Sequence, residues 1–146
     1  MKVLLNSLLF IVGVVLLNAC SKEKRVEKWL KNGAGEWEVI AHNVKVYEND
    51  TLQSDDNLVY PLKFIFDENG NFLKVGYTDA DQTIVNAMDV VSGKWTSTKD
   101  EIVIESGDDP LTMKILGIDR KKMKLESTET YGSIKYISTY SLEKDK

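Results

Sequence analysis

From Gly35 onward, the apolar residues of this chain recur at alternate positions in short runs separated by turn residues. A period of two puts successive side chains on opposite faces of an extended strand, so such runs bury one face of a sheet and wet the other. Trp37, Val39 and Ala41 alternate in a first strand over residues 36–47. The parity shifts near His42-Asn43 so that Val44 and Val46 continue the apolar face, which predicts a β-bulge there. Tyr60, Leu62, Phe64 and Phe66 define a second strand over 58–66. Asn69-Gly70 then marks a tight hairpin, because those residues accept the positive φ that two-residue turns require. Leu73, Val75 and Tyr77 form a third strand, and the polar stretch 79–89 is ambiguous between strand and loop.

Val91, Gly93, Trp95 and Ser97 mark the next strand, and Thr98-Lys99-Asp100 turns it into Ile102 and Ile104. Asp108-Asp109-Pro110 breaks the chain before Leu111, Met113 and Ile115, and Asp119-Arg120-Lys121 is the following turn. Met123 and Leu125 share one face of the seventh strand, and Ile134, Tyr136, Tyr140 and Leu142 form the last. Ile65, Val103, Leu116 and Ile118 fall on the nominally outer face. About eight short strands at this spacing predict a sandwich or barrel. Consecutive hairpins favour the up-and-down barrel, which leaves no open sheet edge.

Ahead of the strands, residues 22–32 read as a short amphipathic helix. Val26, Trp29 and Leu30 sit at i, i+3 and i+4 with charges elsewhere. Asn32-Gly33 supplies its stop. Such a helix either lies on a membrane surface or plugs the end of the barrel. Three apolar residues make a weak membrane anchor, so the plug is expected.

The first twenty residues obey a different rule. Lys2 is followed by an almost unbroken apolar run, Val3 to Leu17. That run is shorter than the roughly 20 residues a helix needs to cross a bilayer, and it has the length of a signal-peptide core. Leu17-Asn18-Ala19-Cys20 closes the segment and resembles the bacterial lipobox. The resemblance implies cleavage before Cys20, a diacylglyceryl group joined to its sulfur as a thioether and, usually, acylation of the new amino group. Each buried CH₂ contributes about 0.8 kcal/mol, so several chains hold where one would not. Ser21 is not the Asp associated with retention in the inner membrane, so the expected location is the outer membrane. The expected divisions are 1–19 signal peptide, 20–34 lipidated cysteine, tether and helix, and 35–146 barrel.

Composition excludes several function classes. Cys20 is the sole cysteine, which rules out an intrachain disulfide, a CxxC pair or a thiolate zinc cluster. Lys2 is the only charged residue in 1–19, so the remaining 127 residues carry 18 basic and 23 acidic side chains, a formal charge of −5. A domain that acidic has no general attraction for nucleic acid. His42, the sole histidine, has no cysteine or G-x-S-x-G elbow to work with and reads as a surface or bulge residue. Asp79-Ala80-Asp81 has the spacing of oxygen ligands but lacks the glycine and downstream glutamate of a calcium loop. Asn49-Asp50-Thr51 fits a glycosylation sequon, which means little behind a lipobox. Neither catalysis, a metal nor a cofactor is expected.

Gly35-Glu36-Trp37 after a short helix, Phe64-Ile65-Phe66-Asp67-Glu68-Asn69-Gly70-Asn71-Phe72 as a hairpin, Gly93-Lys94-Trp95 before a tight turn and Ile102-Val103-Ile104, and a final Tyr140-Ser141-Leu142 together carry a family resemblance. Over residues 35–143 the chain resembles the lipocalin-like domains of small bacterial lipoproteins. That implies an all-β fold: one eight-stranded antiparallel up-and-down barrel, open at one end, with a short N-terminal helix. It also implies a small apolar or amphipathic ligand. Lipocalins pack a late-strand arginine across the first-strand tryptophan. The only arginines are Arg25 and Arg120, so either Arg25 takes that part or the contact is absent.

Seven aromatic residues, Trp37, Tyr60, Phe64, Phe66, Trp95, Tyr136 and Tyr140, point inward on the alternation and are the candidate ligand-lining set. An eight-stranded barrel is just wide enough to be filled by side chains or to hold one small ligand, and so many rings favour filling. Two functions fit this pattern. One is an outer-membrane lipoprotein binding a small apolar or amphipathic molecule. The other is an interaction subunit of a cell-envelope assembly with a filled barrel.

Overall fold

The computed structural model describes residues 22–58, 61–78, 83–84, 91–107 and 109–144. Residues 1–21, Cys20 among them, lie outside the described residues, as do Tyr60, Asp79 and Asp81. Among the described residues, a helix, α1 (residues 22–31), and a 3₁₀ turn, Gly33–Gly35, lead into ten strands. These are β1 (Glu36–Glu48), β2 (Thr51–Leu58), β3 (Leu62–Phe66), β4 (Asn71–Thr78), β5 (Thr83–Ile84), β6 (Val91–Ser97), β7 (Glu101–Glu105), β8 (Leu111–Ile118), β9 (Lys122–Tyr131) and β10 (Ile134–Lys144). Every pairing is antiparallel, in the order β10-β9-β8-β7-β6-β4-β3-β1, and β1 pairs again with β10 along its length. The sheet therefore closes into the expected eight-stranded barrel. β2 is the extra strand, continuing past β3 along the outer half of β1, and the two-residue β5 folds back on β4.

β2 is a strand the alternation did not reveal. Its sequence, TLQSDDNL, is polar and exposed on both faces, so no periodicity marks it. Its turn does: Asn49 and Asp50 have φ of 48° and 60°, the left-handed pair a two-residue hairpin demands. The sequon spans that turn. Pro61, which has no N–H to give a ladder, stands where β2 gives way to β3.

Two bulges adjust the barrel. The first lies at Ile40, between the pairs Val39↔Leu142 and Ala41↔Ser141, two residues before the expected position. Ile40 is pushed outward, 59% exposed, and His42, Val44 and Val46 then resume the inner face. The second lies at Leu116, between Ile115↔Leu125 and Gly117↔Lys124. It reverses the parity of the rest of β8, so Ile118 packs against the core instead of facing out. The third predicted strand is also corrected. The Asn69-Gly70 turn sets Phe66 opposite Phe72, so Phe72 points inward with Lys74, while Leu73 and Val75 face the other way.

The helix plugs the barrel end where β1 begins and β10 ends. Val26 and Leu30 are buried in the core with Trp37 and Leu142, each such side chain contributing about 1.5–3 kcal/mol by burial. The Trp37 indole N–H donates to the Leu30 carbonyl at 3.2 Å. Lys144, from the last strand, lies over the Trp37 ring with its ammonium 4.3 Å from the centroid. The same ammonium donates to the carbonyl of Leu30, in the last turn of α1, and to that of Asn32 just beyond it. The late-strand cation over the first-strand tryptophan is thus a lysine. Arg25 has no part in it and lies exposed on the helix.

Candidate functional site

The inward side chains are fully buried near the helix plug and half-buried farther along β1 and β10. β1, β3, β4, β6 and β10 each send large side chains inward near the helix plug. They join in an unbroken chain of ring contacts. Trp95 meets Phe66 at 5.5 Å, Phe66 meets Phe72 at 5.1 Å, and Phe72 meets Phe64 at 5.6 Å. Phe64 in turn meets Tyr140 at 5.1 Å, and Tyr140 stacks on His42 at 4.2 Å. Edge-to-face and tilted rings at these separations are the favoured geometries. Trp37, Phe64, Phe66, Trp95 and Tyr140 thus come together in one packed cluster.

Tyr136 does not join them. It lies on the same face of β10 as Tyr140 but four residues away, about 13 Å along a strand, where it is half-buried and meets Tyr131 at 6.0 Å. Tyr131 donates its hydroxyl to Glu129 at 2.8 Å, and that carboxylate raises the phenol above its ordinary range. Between the ring floor and this tyrosine pair, the inner wall carries half-buried Val44, Val46 and Ser138 and buried Ser127.

Two inward polar residues are hidden from a reading of the sequence. His42 is buried, 7% exposed, not a surface residue; its turn inward follows from the bulge two positions earlier. Lys74 pairs with Phe64 and so shares the interior face. Lysine in the middle of an apolar run reads as solvent-facing, and only the Phe66↔Phe72 register shows otherwise. Burial, and then the Lys74 charge, hold the His42 imidazole at about 4, down from its ordinary 6.5.

The sign of the consequence is fixed. Between pH 6.5 and 4 the unfolded chain takes a proton on His42 that the folded barrel refuses, so stability rises with pH across that window. Acidification through it is expected to cost up to about 3 kcal/mol from this group alone. Urea unfolding of wild type and His42→Phe from pH 7 to 4 checks this. The variant keeps a ring against Tyr140, and its curve should be flatter by that amount; parallel curves would refute the assignment.

Among the described residues, no group of three or more His, Cys, Asp or Glu side chains is placed to hold a metal ion. No described helix is long and apolar enough to cross a membrane. Compared with known proteins, the chain matches no family model, and no curated protein matches it significantly.

Proposed function

We propose that this chain is a non-enzymatic lipoprotein, held at the outer membrane by acyl chains on Cys20, whose lipocalin-like barrel takes a small amphipathic ligand. The lipobox Leu17-Asn18-Ala19-Cys20 supports the anchor. The observation that carries the ligand reading is the arrangement of the upper barrel. A floor of rings ending at His42 and Tyr140 lies beneath apolar Val44 and Val46, with the Lys74 cation on the same interior face. Apolar walls with a few convergent polar groups are the usual make-up of a small-molecule site. An acyl or similar body would rest among the valines and Tyr136, and an acidic group would turn toward Lys74. The lower aromatics serve as the base of the site and not as its lining.

Displacement of a fluorescent fatty acid from a 21–146 fragment tests this. Micromolar binding is expected, weakened about tenfold by Lys74→Met, the value of one charge-assisted hydrogen bond. Absence of binding by the wild type sinks the reading.

A second reading, an envelope-assembly subunit, has its own observation. Both bulges thrust a large apolar side chain into solvent, Ile40 at 59% and Leu116 at 44% exposure. A groove of about 350 Å³ lies beside Ile40, lined also by Gly117, Lys124 and Ser141. If probe displacement fails while cross-linking through Ile40→Cys recovers one stable partner, this reading replaces the first.

A further inference from the structure

The helix that plugs the barrel has two unlike flanks. On one, Glu27 pairs with Lys31 a turn later at 2.7 Å. On the other, Lys24, Arg25 and Lys28 line a groove of about 790 Å³ with Trp29, Asn32 and, from the β8–β9 turn, Arg120. No acidic side chain lines it, in a chain of formal charge −4. All four cations are exposed, and among the described residues none has an ion-pair partner within 4 Å. Asp119, the acid nearest in sequence to Arg120, accepts the backbone N–H groups of Lys121 and Lys122 at 2.7 and 2.8 Å, so its carboxylate is committed to its own turn.

The fold offers no structural use for this concentration of charge. Val26 and Leu30 already seat the helix, and Lys144 already caps its C-terminal end at the Leu30 and Asn32 carbonyls. Four like charges around one groove repel one another, a cost that a partner of opposite sign would remove. Half-buried Trp29 adds an amphipathic ring of the kind that settles at the headgroup level of a bilayer.

We infer that this groove is a docking surface for the anionic headgroups of a membrane, so that the barrel rests plug-side down on the bilayer. Charge complementarity selects an anionic partner, and the place of the groove selects a lipid one. It opens at the barrel end where the chain emerges, on a helix described from Lys22, two residues after Cys20. The inference rests on the anchor reading only to bring this face within reach of lipid.

The test uses the full chain, purified from host membranes and reconstituted into vesicles of phosphatidylcholine alone or mixed equally with phosphatidylglycerol. Flotation reads the anchor. Labelling with an amine-reactive, membrane-impermeant reagent, located by mass spectrometry, reads the groove. Flotation with both vesicles is expected. Lys24 and Lys28 should react about fivefold more slowly only with phosphatidylglycerol, the scale of preference one cation gains at an anionic surface. Lys99 and Lys114 should not change. High salt, which shortens the Debye length to about 3 Å, should restore labelling, and so should Arg120→Glu, which leaves the helix sequence untouched.

Flotation with equal labelling of Lys24 and Lys28 in both vesicles would overturn the groove and spare the anchor. Flotation and protection with phosphatidylglycerol alone would uphold the groove and refute the anchor. No flotation with either would refute both.

Discussion

Truncation of Trp37 to alanine is expected to remove about 4 kcal/mol from the unfolding free energy, within the 3–5 kcal/mol typical of buried aromatic deletions. Against a total of about 5–15 kcal/mol for a domain, that removes between about a quarter and four-fifths of the stability. The loss has three parts. The ring is wholly buried in the core cluster, so its removal opens a cavity. Its N–H no longer meets the Leu30 carbonyl. The Lys144 ammonium loses the ring face beneath it, an interaction worth about 2 kcal/mol when desolvated. Urea denaturation measures the total. Trp37→Phe keeps most of the packing and loses the hydrogen bond, so about 1–2 kcal/mol is expected from it.

The partner residue makes the prediction sharper. Lys144→Met keeps an aliphatic stem against the indole but removes the charged donor at the helix end, leaving Leu30 only the Trp37 N–H, and α1 should then fray. Faster amide exchange confined to residues 22–32 would report it. A double-mutant cycle between Trp37→Phe and Lys144→Met should show coupling of about 1 kcal/mol. A cost below about 1.5 kcal/mol for Trp37→Ala would mean the ring is not the keystone its burial makes it.

How much of the fold is legible in the sequence depends on which force sets each feature. Where burial decides, alternation suffices. Trp37, Phe64, Phe66, Trp95, Ile102, Ile104, Leu125 and Leu142 are all buried on the face their parity assigns. Where backbone geometry decides, parity misplaces side chains by a residue or two. A bulge inserts one residue and inverts the parity of everything after it, and neither Ile40 nor Leu116 differs in kind from an ordinary strand residue. His42 therefore reads as a surface or bulge residue and Ile118 as an outward one. Lys74 is hidden for a related reason, because its face is set by the register of the turn before it.

The cation over Trp37 is hidden for a different reason. Contact with a ring face and two helix carbonyls needs a positive charge on a stem of the right length, and a lysine meets that need as an arginine does. The residue type differs from the expected one while the role is kept. The candidate site is legible as an aromatic set but not as a place, because periodicity says which face a ring takes and not how far along the barrel it sits. Tyr136 and Tyr140 share parity and strand, yet one is core and the other is half-buried beyond it.

The Gly35-Glu36-Trp37 triplet carries the second large prediction. A Cβ on Gly35 would lie 1.9 Å from the Phe66 carbonyl oxygen and 2.6 Å from its carbon. Both are main-chain atoms of a strand held in the barrel on either side, so no side-chain adjustment relieves the clash. Gly35 also has φ of +71°, which costs an L-residue about 1–2 kcal/mol. Gly35→Ala is accordingly expected to cost more than about 4 kcal/mol, in the range reserved for named structural faults.

Gly33 separates the two causes. Its φ is +65°, but nothing lies within 4 Å of where its Cβ would be. Gly33→Ala should therefore cost only the backbone penalty, about 1 kcal/mol. Its neighbour Ala34 already bears such a conformation at φ 61°. Denaturation midpoints of the two variants, or soluble yield if Gly35→Ala does not fold, give the comparison. Equal effects would mean that conformation and not contact dictates glycine at 35. The second triplet, Gly93-Lys94-Trp95, repeats the test without the conformational term. Gly93 has no positive φ, and its Cβ would stand 2.3 Å from the Glu105 carbonyl oxygen. In both triplets a main-chain carbonyl of a neighbouring strand occupies the space of the missing side chain, while the tryptophan two residues on turns into the core.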